Sequence, residues 1–207
     1  MDLIKNSQDF QEKLDKTKQL LSELRLKKSM KDKIVFCNEN FEKLGSGSSR
    51  LVYKLPDNTV IKVAKNKKGI EQNKTESSPK AKSPSINRLL HFEPNHSFIR
   101  VGLVSEISKE EFQKLFGFDF EDFRASLKFA LKNLTKKKVA TPDKKLFSKI
   151  SVKPFFKGLV QIANDLKLVP GDLLKISSYG KKSDRIVLID YGLSRDIYDK
   201  YYKKPSP

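Results

Sequence analysis

The stretch Gly45-Ser46-Gly47-Ser48-Ser49-Arg50-Leu51-Val52 decides the fold, because it places a serine- and glycine-rich turn between two predicted strands. Residues 41–44 form the first strand, and 50–55 and 59–64 form a hairpin whose turn is Pro56-Asp57-Asn58. Glycines in such a turn let backbone N–H groups approach phosphate oxygens without a Cβ clash. A plain serine-glycine hairpin turn is the alternative interpretation.

Lys62 lies in an otherwise apolar predicted strand. A solvent-facing position is one explanation, since strand faces alternate. The other is contact with the α- and β-phosphates of a nucleotide, together with an ion pair to a helical carboxylate. Lys65, at the polar end of the strand, is the rival lysine. The short helix predicted at about Gly69 to Ser77 offers Glu76 as the partner, or Glu71, which leaves the chain less room to turn back.

Asp190 follows the short apolar strand predicted at residues 186–189, and Gly192 follows two residues later. An aspartate at the end of a strand can hold Mg²⁺ against nucleotide phosphates, and the glycine lets the backbone turn sharply after the strand. A simple Asp-x-Gly turn is the alternative for this triplet.

The order of these features is that of protein kinases, and the chain resembles the protein-kinase-like superfamily over roughly residues 41 to 198. More narrowly, it resembles the small kinase-like proteins encoded by tailed bacteriophages. The resemblance rests on Val60-Ile61-Lys62-Val63-Ala64-Lys65-Asn66, Gly69-Ile70-Glu71-Gln72-Asn73-Lys74-Thr75-Glu76, Leu103-Val104-Ser105-Glu106, and Ser177-Ser178-Tyr179-Gly180 leading to Ile189-Asp190-Tyr191-Gly192-Leu193. It implies a protein-kinase-like α+β fold, with an antiparallel N-terminal sheet carrying one helix and a reduced helical C-terminal lobe.

The resemblance also implies an ATP·Mg²⁺ cleft between these lobes. Gly45, Gly47 and Val52 would cover the nucleotide. Lys62 would orient its phosphates, and Glu76 would hold Lys62 in place.

Three further roles follow from the resemblance. The backbone from Glu106 to Ser108 would bond the edge of the adenine, and Asp190 would bind Mg²⁺. Asp172, eighteen residues before Asp190, would be the catalytic base. A turn or N-capping role is the alternative for Asp172, and Asp165, on the preceding helix, is a weaker candidate base.

The chain departs from the kinase pattern at several positions. Arg50 stands where the third glycine belongs, Pro170-Gly171-Asp172 replaces His-Arg-Asp, and Ser177 stands near the second metal-binding asparagine. Because fifteen residues follow Gly192 (207 − 192), we expect no peptide-docking lobe. The leading hypothesis is therefore an ATP- and Mg²⁺-binding protein with phosphoryl transfer as its candidate reaction. A catalytically inactive pseudokinase that acts as an interaction module is the alternative.

The net charge of +18 favours acidic partners. The lysines are spread over clusters at 65–68, 136–138, 144–145 and 181–182, with few arginines near them. This distribution indicates non-specific attraction rather than sequence recognition, so a basic, nucleic-acid-associated phage protein is a third hypothesis. A solvated lysine-rich surface explains the same charge without a partner.

The single cysteine, Cys37, lies beside Val35 and Phe36, which predicts a buried thiol rather than a reactive one. No apolar run is long enough to span a membrane, and the N-terminus lacks the apolar core of a signal peptide. We expect a cytoplasmic protein, or a virion protein if it is phage-encoded. Its partners would be a nucleotide and an unidentified protein or acceptor.

The predicted organisation has four parts. Residues 1–36 form an amphipathic helix, from about Gln8 to Lys31, and a linker. Residues 37–107 form the N-terminal lobe, which ends in a hinge strand from Phe98 to Ile107. Residues 108–199 form the helical lobe and 200–207 a basic tail. A capping box at Ser108 and Glu111 predicts a helix start, and Gly117 predicts its end.

Overall fold

The computed structural model describes residues 2–135 and 138–203, and it shows mixed α and β structure. The α+β class expected from the sequence is confirmed. Within the described residues the chain divides into two compact units. The first unit comprises Met1–Asn73 and Leu89–Leu103, and the second comprises Lys74–Arg88 and Val104–Pro207.

Two helices begin the first unit, α1 (Asp2–Leu26) and α2 (Met30–Asn40). The prediction of one helix from about Gln8 to Lys31 is wrong at its C-terminal end. The Ser29 side chain accepts a hydrogen bond from the Asp32 backbone N–H, and the Asp32 carboxylate accepts one from the Ser29 N–H. This capping box starts a second helix.

A five-stranded sheet follows among the described residues, with the order β1-β2-β3-β5-β4 and antiparallel pairing throughout. Its strands are β1 (Glu42–Ser46), β2 (Arg50–Lys54), β3 (Thr59–Ala64), β4 (Leu89–Phe92) and β5 (Phe98–Gly102). Helix α3 (Lys67–Glu76) comes directly after β3, close to the predicted span.

The main core of the first unit joins α1 and α2 to one face of this sheet. Its members include Leu21, Leu24, Phe36, Cys37, Tyr53, Ile61 and Phe98. Burial raises the pKa of the Cys37 thiol to about 12, so the thiol stays protonated at neutral pH. The prediction that Cys37 is buried is confirmed.

The second unit is mainly helical. Its helices are α4 (Lys109–Phe116), α5 (Phe120–Ala130), α6 (Lys144–Ser151), α7 (Pro154–Asp165), α8 (Pro170–Leu173) and α9 (Arg195–Tyr201). The predicted capping box at Ser108 and Glu111 starts α4, and Gly117 ends it with a left-handed φ of 88°. An aromatic cluster packs these helices together; it includes Phe112, Phe116, Phe120, Phe123 and Tyr179.

A small antiparallel sheet belongs to the second unit, with the order β6 (Ser105–Glu106), β7 (Tyr179–Lys182) and β8 (Arg185–Leu188). The predicted strand from Phe98 to Ile107 is therefore split, because β5 pairs with β3 and β6 pairs with β7. Ile86 extends this sheet through a parallel bridge to Leu188.

Parts of two predicted basic segments fall outside the described residues, namely Lys136 and Lys137 of one lysine cluster and residues 204–207 of the tail. Across the described ranges, no helix combines the length and the apolar character needed to cross a bilayer.

Candidate functional site

The glycine-rich turn connects β1 to β2 in the first unit. The Gly47 N–H donates to the Arg50 carbonyl across 2.9 Å, which closes the turn. Arg50, the residue at the expected third glycine, is buried, and its guanidinium donates to Asn73 Oδ1 at 3.4 Å. The arginine therefore anchors the turn to α3.

The residues just before α3 hold the same turn through two more hydrogen bonds. Lys65 Nζ donates to the Gly47 carbonyl at 3.1 Å, and Asn66 Nδ2 donates to the Ser48 carbonyl at 3.2 Å. Gly69 makes this approach possible, because a Cβ on it would lie 2.2 Å from the Ser49 carbonyl oxygen. Lys65, the rival phosphate-binding lysine, is exposed and holds this turn.

A cross-strand row contains three residues that the sequence had singled out. Gly45 faces Val52, Val52 faces Lys62, and Lys62 faces Ile99 in the successive antiparallel pairs. Residues directly opposite each other in antiparallel strands project to the same sheet face. Gly45, Val52 and Lys62 therefore share one face of the sheet.

This face is apolar around Lys62. Val60, Ile99 and Val101 are buried there, and Val52, Leu89 and Leu103 are partly buried against them. Lys62 itself is 7% exposed, so the solvent-facing explanation of this lysine is wrong. Its backbone carbonyl accepts a 3.4 Å hydrogen bond from Asn73 Nδ2, which joins β3 to α3. Asn73 is a positioning residue that the sequence analysis missed.

Glu76 is the last residue of α3 and is 1% exposed, whereas Glu71 is only partly buried. Lys62 belongs to the first unit and Glu76 to the second. The ion pair between Lys62 and Glu76 stays a prediction. Within the second unit, the Tyr191 hydroxyl donates to the Glu76 backbone carbonyl at 3.5 Å. Buried Tyr191 thus connects the end of α3 to the Asp190-Tyr191-Gly192 triplet.

Asp190 follows β8 and is exposed to solvent. The Ile189 N–H donates to the Ser178 carbonyl at 2.8 Å, which fixes the backbone just before it. Within the described ranges, no three His, Cys, Asp or Glu side chains are close enough to form a metal site together. Mg²⁺ usually binds through one or two carboxylates plus phosphate oxygens and water, so metal binding by Asp190 stays a prediction.

Asp172 lies in the first turn of α8, whose N-cap is Val169, without a side-chain capping bond. The N-capping interpretation of Asp172 is therefore wrong. Lys175 Nζ instead donates to Asp172 Oδ1 at 2.6 Å. This hydrogen bond and the Asp172 charge raise the pKa of Lys175, and the charge of Asp190 contributes in the same direction. Lys175 was missed in the sequence, although its spacing of three residues places it one helical turn from Asp172.

Three further residues that the sequence analysis considered, Glu106, Asp165 and Ser177, are exposed to solvent. Glu106 is exposed on β6 and faces Gly180 of β7, where a Cβ would lie 2.6 Å from Val104 Cγ2. Asp165 is the exposed last residue of α7. Ser177 is exposed, while neighbouring Ser178 donates through Oγ to the Asp172 carbonyl at 2.7 Å.

No protein-family model matches this chain, and no curated protein matches it.

Proposed function

We propose that this chain is a kinase-like protein that binds ATP together with Mg²⁺. The observation that carries the proposal is the row formed by Gly45, Val52 and Lys62 on one apolar sheet face. An apolar face suits a flat nucleobase, whereas a neighbouring ammonium suits phosphates. The glycine adds no side chain that would keep a ligand away.

The proposal gives each candidate residue one task. Lys62 orients the α- and β-phosphates, Glu76 holds Lys62, and the backbone near Glu106 bonds the adenine edge. Asp190 binds Mg²⁺, which would neutralise phosphate charge when present. Asp172 accepts the proton of the attacking hydroxyl or water.

Phosphoryl transfer is the candidate reaction. Most of its catalysis comes from positioning and charge stabilisation, which the lysine and the carboxylates can supply. The resemblance to small kinase-like phage proteins supports this choice, because the hairpin, lysine, glutamate and aspartates follow one another in kinase order.

A thermal unfolding titration with ATP and Mg²⁺ tests the proposal. At a hundredfold excess over Kd, ligand linkage contributes ~2.7 kcal/mol, which corresponds to a rise in Tm of about 5–10 °C for a chain of this size. Lys62→Met keeps the volume and removes the charge, and we expect it to abolish most of the shift. Lys62→Ala should do the same.

Lys65→Met is the matched control, because Lys65 is a nearby lysine that holds the turn from outside the row. It should retain the ATP-dependent shift. An unchanged Tm of the folded parent at millimolar ATP and Mg²⁺ contradicts the proposal, as does a full shift in Lys62→Met.

A pseudokinase interaction module is the second candidate. The pairing of Asp172 with Lys175 favours it, because the hydrogen bond from Lys175 occupies a carboxylate oxygen that a base needs for the incoming proton. A pseudokinase of this kind would bind ATP without cleaving it. Non-specific contact with nucleic acid through the +18 charge is a separate activity, recognised by a steep loss of affinity as salt rises.

A further inference from the structure

A pocket lies in the second unit, apart from every residue assigned to the nucleotide. It is a pocket of about 470 Å³ at the end of α7, the start of α9 and the turn after α5. The polar groups that line it are those of Asn133, Thr135, Asn164, Lys167, Arg195 and Asp199. Its volume lies in the range of small-molecule sites and exceeds what inorganic phosphate needs.

Contacts within the unit hold the Arg195 side chain and the backbone that carries Lys167. The Arg195 backbone N–H donates to the Lys167 carbonyl at 2.8 Å, and its guanidinium donates to the Leu134 carbonyl. The guanidinium carbon also lies 5.7 Å from the centre of the Tyr198 ring. Lys167 has a left-handed φ of 49°, an unusual conformation for lysine. Both cations are therefore attached to ordered backbone at the pocket wall.

The pocket also carries hydrogen-bond acceptors. Asn164 Nδ2 donates to the Val160 carbonyl at 2.8 Å, so Oδ1 is the amide atom left to accept. Asp199 adds a carboxylate. Among residues 2–135 and 138–203, neither Lys167 nor Asp199 forms an ion pair. The site thus offers positive charge for an anion and acceptors for hydroxyl groups.

We propose that this pocket binds a small hydroxylated phosphate ester, such as a sugar phosphate. Lys167 and Arg195 pair with the phosphate, as cations in such sites commonly do. Asn164 and Asp199 accept hydrogen bonds from the ligand hydroxyls.

Thermal unfolding of the full chain tests this site in EDTA and without ATP, at ionic strength held constant with sodium chloride. The probes are ribose 5-phosphate, inorganic phosphate and free ribose. We expect ribose 5-phosphate to raise Tm more than phosphate does at equal concentration, and ribose to have little effect.

Lys167→Asn is the decisive variant, because asparagine tolerates the left-handed backbone while the charge is lost. It should fold and bind ribose 5-phosphate about tenfold more weakly or worse. Arg195→Gln should also weaken binding, whereas Lys182→Gln, on β7, should not. Equal stabilisation of the parent and Lys167→Asn would show general screening of a basic chain and overturn the proposal. Absence of any ribose 5-phosphate effect on the parent overturns it as well.

Discussion

Lys175 Nζ lies 2.6 Å from Asp172 Oδ1, so the candidate base is paired with an ammonium one helical turn away. Asp190 also acts on this lysine, because its charge helps to raise the Lys175 pKa above the ordinary 10.5. Lys175 therefore stays protonated through neutral pH. No change in activity between pH 6 and 9 can come from Lys175, because its pKa lies above that range.

The first prediction concerns Asp172→Asn. If Asp172 removes a proton in the reaction, this variant should lower the single-turnover rate of ATP cleavage by about 10²-fold or more and keep the ATP-dependent Tm shift. Its effect on stability should be small, since the paired Lys175 is largely exposed.

Lys175→Met separates the base from its partner. It should leave the Asp172 carboxylate in place and alter turnover less than Asp172→Asn does. Turnover that is unchanged in Asp172→Asn rules out the base role. A parent that binds ATP without turnover supports the pseudokinase alternative.

The second prediction concerns Gly69→Ala. The new Cβ would lie 2.2 Å from the Ser49 carbonyl and 3.0 Å from Ala64 Cα, so backbone must move. Overpacking costs about 1–3 kcal/mol, and the better helix propensity of alanine offsets about 1 kcal/mol of it, for a net loss of up to about 2 kcal/mol. Urea unfolding measures the change. Gly171→Ala is the control, since nothing lies within 4 Å of its added Cβ; an equal effect of both substitutions would contradict the packing argument.

The third prediction uses Gly45, which shares the row with Lys62. A Cβ on Gly45 meets nothing within 4 Å, so Gly45→Ala should leave the urea midpoint almost unchanged. If a nucleotide lies on this face, the methyl group should hinder it and weaken ATP binding by about tenfold, or ~1.4 kcal/mol. Titration calorimetry of Gly45→Ala beside Gly171→Ala measures this. Parent-like ATP affinity in Gly45→Ala places the nucleotide away from the row.

Local signals predicted much of the fold. The capping box at Ser108 and the stop at Gly117 were confirmed, because both depend on residues within one turn of each other. The second helix was missed, although Ser29 and Asp32 form the same kind of box. The apolar stripe of α1 predicted one helix that continues through residues 27–29. The many polar residues of α2 made its helical periodicity hard to recognise.

The site was predictable where it depends on strand spacing and not where it depends on tertiary contacts. The hairpin pattern predicted the neighbouring strands that carry Gly45, Val52 and Lys62, whereas their nucleotide-binding role stays a prediction. The hydrogen bond from Arg50 to Asn73 joins residues 23 positions apart in the sequence, and no local sequence pattern predicts it. The pocket containing Lys167 and Arg195 likewise unites separate elements.

The last prediction concerns pH and Glu93, which follows β4. Burial alone would raise the pKa of Glu93, but hydrogen bonds from Arg25 and His91, together with their charges, hold it below the ordinary 4.5. The Arg25 Nε to Glu93 Oε1 distance is 2.7 Å, and this contact ties the end of α1 to the sheet edge. Burial lowers the pKa of Lys33, and the negative charge of Glu93 acts on this lysine in the opposite direction.

A depressed carboxyl pKa contributes stability that is present above the unfolded value and is lost as pH falls through the folded value. Glu93→Gln should therefore cost about 1 kcal/mol at pH 7, and its difference from the parent should shrink below pH 4.5. Urea unfolding at a series of pH values between 7 and 3 measures this difference. Glu42→Gln is the control. The Glu42 side chain is 67% exposed, and the substitution would remove only an ion pair with Lys54 Nζ at 3.7 Å. A Glu93→Gln difference that stays constant down to pH 3 means that the contact with Arg25 does not stabilise the fold through the ionised carboxylate.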